Sequence, residues 1–137
     1  MNEKVRITSE VVRVRGHFLL KLVDYQWALA KHGIAAGESE DLESIRIHME
    51  AARSDLAFIM EGGRTLGFDQ LANHAEQIRH MMGLFLERCL HSPNCHKPLT
   101  DVILELNDFV SACKALTEQP TVLQDITLPN ARDIGRV

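Results

Sequence analysis

Two cysteines and two histidines lie close together in the third quarter of the chain and could bind a metal ion. They are Cys89, His91, Cys95 and His96, in the pattern C-x-H-x3-C-H. Two thiolates and two imidazoles are ligands that a tetrahedral zinc site uses, and a loop between helices could bring the four side chains together. Although the spacing matches no standard zinc finger, the cluster predicts a metal-binding or thiol-sensing module as one of two alternative functions.

The other interpretation of the same residues is structural. Cys89 falls on the apolar side of the helix that precedes the cluster, where a thiol packs as a small apolar group. The chain has three cysteines, an odd number, which favours free thiols in a reducing compartment over a set of disulfides. On this interpretation Cys89 is a core residue, the loop histidines face solvent, and no cofactor is expected.

Composition and charge argue against several functional classes. The formal net charge is -4, and lysine and arginine never form a run, so we expect no nucleic-acid partner. No apolar run approaches the ~20 residues of a membrane span, and the N-terminus lacks the order of a signal peptide. The sequence shows no Ser/His/Asp order, paired catalytic carboxylates or Gly-rich nucleotide fingerprint. We therefore expect a cytoplasmic protein without a membrane partner, and an enzyme only if its site is assembled from distant side chains.

Hydrophobic periodicity predicts an all-α fold. Four helical stretches run from Glu10 to Gly33, from Ser39 to Glu61, from Asp69 to His91 and from Pro98 to Leu116. Glycines after the first two stretches and a proline at the start of the fourth set these bounds. Four helices of similar length joined by short loops fit an antiparallel up-down-up-down four-helix bundle.

This bundle accounts for one domain, residues 9–117. Residues 1–8 have no clear pattern and are expected to form an N-terminal arm. Residues 118–137 have thin apolar content and are expected to form an extended C-terminal tail. Of the four helices, the third shows the clearest bundle pattern, because its apolar positions repeat every seven residues in two series. These positions are Leu71, Ile78 and Phe85, and Ala75, Met82 and Cys89.

The first two helices carry more apolar surface than a helix packed on one side needs. Exposed contiguous apolar patches usually mark association sites, so we expect this surplus to be an interface. The predicted interface residues are Leu20, Val23, Trp27, Ile47 and Phe58. The alternative is that the N-terminal arm or the C-terminal tail of the same chain covers them.

The favoured function is therefore that of a non-enzymatic helical-bundle protein. It would act through self-association, as a homodimer or a larger assembly, or through binding of a regulatory protein partner. The alternative is the metal-binding or thiol-sensing module at Cys89, His91, Cys95 and His96, with zinc as its metal.

Overall fold

The computed structural model describes the backbone of residues 3–118 and the side chains of residues 10–118. Within these residues the protein contains four α-helices that pack against each other and no strand, which confirms the all-α class. The helices are α1 (Glu3–Glu38), α2 (Leu42–Thr65), α3 (Asp69–Arg88) and α4 (His96–Thr117). The predicted C-terminal tail lies outside the described residues, apart from Glu118.

Helix α1 is longer at both ends than the periodicity predicts. It begins at Glu3, so the backbone of residues 3–8 lies within the helix. These residues include no proline or glycine, and adding turns to an existing helix is far less costly than nucleating one. At its other end α1 passes through Gly33 without a break. Gly33 serves close packing there, because a Cβ at this position would lie only 3.3 Å from Leu106 Cδ2 of α4.

Helix α2 passes through the two glycines that the sequence marks as its end. It includes Gly62 and Gly63 and continues to Thr65. Its N-cap is Asp41, whose carboxylate accepts a hydrogen bond from the Glu43 N–H at 3.3 Å. An acidic N-cap side chain satisfies one of the N–H groups that the first helical turn leaves without a partner.

The turn between α2 and α3 is tight. Gly67 adopts φ +87°, a conformation that glycine takes without steric cost. The Phe68 N–H donates to the carbonyl of Gly63 at 2.7 Å, which closes the turn. Phe68 and not Asp69 occupies the N-cap of α3, and its ring stacks on Phe18 of α1 with centroids 5.6 Å apart. The start of α3 is therefore packed by apolar contact with α1 and has no side-chain cap hydrogen bond.

The predicted apolar positions of α3 lie in or against the hydrophobic core, with Cys89 half-buried at the end of the helix. In α3, Leu71, Ala75, Ile78, Met82 and Phe85 are all buried, which confirms the seven-residue pattern. The other three helices contribute Leu19, Leu22, Leu29, Ile45, Met49, Leu56, Ile59, Leu99, Val102, Leu106 and Phe109. Helix amphipathicity therefore accounts for the interior of the protein.

Each helix packs mainly against two others. Helix α1 contacts α2 and α4, and α3 contacts the same two helices. Two arginines join α2 to α3 through a reciprocal pair of hydrogen bonds. Arg53 Nε donates to the carbonyl of Arg79, and Arg79 Nε donates to the carbonyl of Arg53, both at 3.2 Å. Because α1 packs mainly against α2 and α4, one of its sides is left without a neighbouring helix among the described residues.

Candidate interaction surface

The structure does not gather the four residues of the predicted metal cluster. Cys89 forms the C-cap of α3 and is half-buried against the core, whereas Cys95 is buried at the N-cap of α4. His91 and His96 are exposed. Across residues 3–118, no group of three or more His, Cys, Asp or Glu side chains is placed to hold a metal ion. Both thiols pack with apolar neighbours instead, as a small apolar group does.

The third cysteine, Cys113, lies in the core of α4 and has no exposed surface. Burial raises the pKa of its thiol to about 12, because the low-dielectric interior disfavours the thiolate. The protonated thiol is neither a nucleophile nor a metal ligand. Cys113 is therefore a packing residue of the core.

Helix α1 carries an exposed apolar stripe along one side. Trp27 is 71% exposed, Leu20 is 56% exposed and Ile34 is 60% exposed. These three residues are spaced seven apart, with Val23 and Ala30 between them. We call the set Leu20, Val23, Trp27, Ala30 and Ile34 the α1 stripe. The predicted interface includes its first three large side chains but not Ile34, which the same spacing could have identified.

The α1 stripe points away from α2. Three side chains of α1 that contact α2 are those of Phe18, Tyr25 and His32. Each lies two residues before a member of the stripe. Two residues correspond to a rotation of about 200°, so these side chains are on nearly the opposite side of the helix from the stripe. Gly33, which lies against α4, is only about 100° from Ile34. The stripe therefore faces outward on the side of α1 nearer to α4.

The two predicted interface residues of α2 lie on a different surface. Ile47 and Phe58 are exposed, but the Phe58 ring stacks on Tyr25 with centroids 6.2 Å apart. Because Tyr25 and Trp27 lie on nearly opposite sides of α1, Phe58 and Trp27 face different directions. The structure thus divides the five predicted residues between two surfaces, with three of them in the α1 stripe.

A pair of histidines lies at the contact between α1 and α2. His32 Nδ1 and His48 Nδ1 are 3.1 Å apart, close enough for one ring N–H to donate to the other ring nitrogen. The pKa of His32 is lowered, mainly by burial and less by His48 and Lys31, while the nearby Asp55 carboxylate acts in the opposite direction. Burial raises the pKa of Asp55, and His32 partly offsets this rise. The fold therefore favours a neutral His32.

We expect the protein to lose stability as the pH falls below the ordinary pKa of histidine. The unfolded chain regains a His32 pKa near 6.5, so below that pH it binds more protons than the folded chain. The free energy of unfolding then decreases until the pH has passed the folded pKa of His32. In more acidic solution Asp55 has the opposite effect and raises the free energy of unfolding as the pH falls, because its folded pKa lies above the ordinary 3.8. Urea denaturation at about pH 7.5 and about pH 5.5 measures the difference.

A matched pair of variants tests whether His32 causes this pH dependence. His32→Gln should reduce the difference in unfolding free energy between the two pH values, because the titrating ring at the α1–α2 contact is gone. His80→Gln alters an exposed histidine of α3 and should leave the difference unchanged. An undiminished pH dependence in His32→Gln would show that other groups cause it.

Comparisons with known proteins add no functional information. No protein family matches this chain, and no curated protein or solved structure matches it. None of the four described helices is both long enough and apolar enough to cross a membrane. The exposed α1 stripe is therefore the feature from which a function can be argued.

Proposed function

We propose that this protein is a non-enzymatic association module of the cytoplasm, which acts by binding an apolar helix through the α1 stripe. Its partner would be a second copy of the chain or a regulatory protein. The observation that carries this proposal is the exposure of Trp27, at 71%, in the middle of a stripe of apolar side chains. Tryptophan is enriched among the residues that contribute most of the binding energy at protein interfaces.

The spacing of the stripe supports binding to a helix in particular. Its members are separated by alternating steps of three and four residues. This is the repeat with which one helix packs along another in coiled coils and bundles. Burying apolar surface contributes roughly 25 cal/mol per Å², so large side chains such as Trp27 and Leu20 would supply most of the favourable energy.

The proposal includes the up-down-up-down arrangement of the four helices, because this arrangement gives α1 two neighbours and one free side. Contacts at two places along α1 support it. Phe18 lies against Gly62, whereas the later residue His32 lies against the earlier residue His48. Residue numbers that rise on one helix and fall on the other are the pattern of antiparallel neighbours.

Contacts with α4 follow the same rule. Gly33 lies against Leu106, and Gly37 lies against the earlier residue Ile103. An antiparallel α4 would thus occupy the side of α1 next to the stripe without covering it. No side-chain arrangement gives comparable support to the metal-binding alternative at Cys89, His91, Cys95 and His96.

A dilution series of the wild-type protein tests the proposal. Sedimentation velocity between about 1 and 100 μM should show a species larger than the monomer that dissociates on dilution. Trp27 is the only tryptophan of the chain, so its fluorescence reports on this surface alone. Its emission should shift to longer wavelength over the same concentrations at which the larger species disappears. A monomer at all concentrations, with no partner-dependent change in Trp27 emission, would contradict the proposal.

A further inference from the structure

The α1 stripe resembles half of a two-helix seam. In heptad terms Leu20, Trp27 and Ile34 occupy one core position, and Val23 and Ala30 occupy the other. A seam of this kind needs a second helix with a matching pattern. An isologous contact between two copies supplies one automatically, because each copy presents the same stripe to the other.

The charges beside the stripe distinguish between the ways in which two copies could pack. Asp24 follows Val23 directly, Lys31 follows Ala30 directly, and both are exposed. They therefore occupy the same heptad position, one heptad apart, on the same edge of the stripe. The ion pairs found in residues 10–118 are Arg13–Glu10, Arg46–Glu43, Arg46–Glu50 and Arg64–Glu76. Asp24 and Lys31 take part in none of them.

Only an antiparallel pairing brings these two charges together. In antiparallel coiled coils, this edge of one helix faces the same edge of its partner, so Asp24 of one copy can lie beside Lys31 of the other. The two-fold axis then repeats the pair, giving two ion pairs. In a parallel dimer, the same edge faces the opposite edge of the partner, where Leu19 and Gln26 stand and no charge is available.

The same two charges also select the register, that is, which residues of the two helices lie opposite each other. When Asp24 lies beside Lys31 of the second copy, Trp27 packs against Ala30 and Val23 packs against Ile34, so large and small side chains alternate across the seam. A shift by one heptad in either direction would place Asp24 beside Asp24, or Lys31 beside Lys31. Like charges facing each other destabilise a contact.

From these observations we infer that the partner of the α1 stripe is a second copy of this chain, docked antiparallel with Asp24 of each copy beside Lys31 of the other. The inference rests on the proposed function, since it names the partner of the same surface. It makes the protein a symmetric homodimer in which two α1 helices cross the two-fold axis near residues 28 and 29.

Charge reversal tests this inference. Asp24→Lys places two positive charges at each pair, and Lys31→Asp places two negative charges there. Each single variant should raise the dimer dissociation constant about tenfold, because two attractive contacts become repulsive. The double variant Asp24→Lys/Lys31→Asp restores opposite charges and should return the dissociation constant to the wild-type range. An equimolar mixture of the two single variants should form heterodimers in preference to either homodimer.

The control is Glu105→Lys, which makes the same charge change at an exposed position of α4 and should leave the dissociation constant unchanged. Circular dichroism checks that every variant keeps its helices. A dimer that depends on Trp27 but ignores both charge reversals would overturn the antiparallel register and leave the proposed function standing. A wild-type protein that stays monomeric would overturn the second copy as the partner, whether residues 119–137 or another protein covers the stripe.

Discussion

Replacing Trp27 by alanine is expected to dissociate the self-associated protein while its helices stay folded. The indole is 71% exposed in the single chain, so its removal costs the isolated fold little. At an interface, truncation of a central tryptophan costs about 2 kcal/mol or more. A symmetric contact loses two such side chains, about 4 kcal/mol in total, so the dissociation constant should rise roughly a thousandfold. Sedimentation velocity on Trp27→Ala, at the concentrations used for the wild type, measures the change.

Two further variants separate the α1 stripe from other exposed apolar residues. Leu104→Ala removes a side chain of α4 that is exposed to a similar degree but lies outside the stripe, and it should leave association unchanged. Phe58→Ala removes the ring that stacks on Tyr25. It should cost some stability of the fold but little association. If Phe58→Ala dissociates the protein and Trp27→Ala does not, the functional surface lies on α2 and not on the α1 stripe.

The buried side of α3 could be predicted from the sequence because an amphipathic helix has a short repeat. The buried residues of α3 follow the seven-residue series that runs from Leu71 to Phe85. This information is local, since each side of a helix is defined by residues three or four positions apart. No knowledge of the neighbouring helices is needed to say which side is buried.

The surface could be predicted only in part, because its grouping depends on which helices are neighbours. Periodicity identified Trp27 and Phe58 as surplus apolar residues, and both are exposed. It could not show that Tyr25 occupies the space between α1 and α2 and stacks on Phe58. That contact separates the two residues onto different surfaces. A helical wheel of one helix contains no information about the helix beside it.

The Cys/His cluster illustrates a different limit. Spacing along the chain can bring ligand types close together without aiming them at one point. Cys95 is buried at the N-cap of α4 while His96, the next residue, is exposed. Adjacent residues of a helix point about 100° apart, so neighbours in sequence rarely share a ligand. The apolar packing of the thiols decides their direction, and for Cys95, which lies between the predicted helical stretches, this packing is visible only in three dimensions.

Glycines show the same dependence on tertiary contacts. A Gly-Gly pair after an apolar helical run normally indicates a helix end, yet α2 continues through Gly62 and Gly63. The physical reason lies in α1, where the Phe18 ring occupies the space that a side chain at position 62 would need. A Cβ there would lie 2.6 Å from Phe18 Cε1 and 2.9 Å from Phe18 Cδ1. Gly62 is therefore a contact residue between two helices.

Gly62→Ala is consequently expected to destabilise the protein, although alanine is the better helix former by about 1 kcal/mol. The added methyl group must displace the Phe18 ring, which stacks on Phe68. Forcing extra volume into a packed contact typically costs about 1–3 kcal/mol, so we expect a net loss of roughly 1–2 kcal/mol in the free energy of unfolding. Urea denaturation followed by circular dichroism measures this difference, provided that the m-value is unchanged.

The same substitution should change sign once the ring is gone. In a Phe18→Ala background, Gly62→Ala meets no aromatic atoms and only the helix propensity remains, so it should stabilise the protein by up to about 1 kcal/mol. A double-mutant cycle over these two positions measures the coupling directly. Equal effects of Gly62→Ala in both backgrounds would mean that Phe18 does not determine the need for glycine. A stabilising effect in the wild-type background would place the Phe18 ring away from this contact in solution.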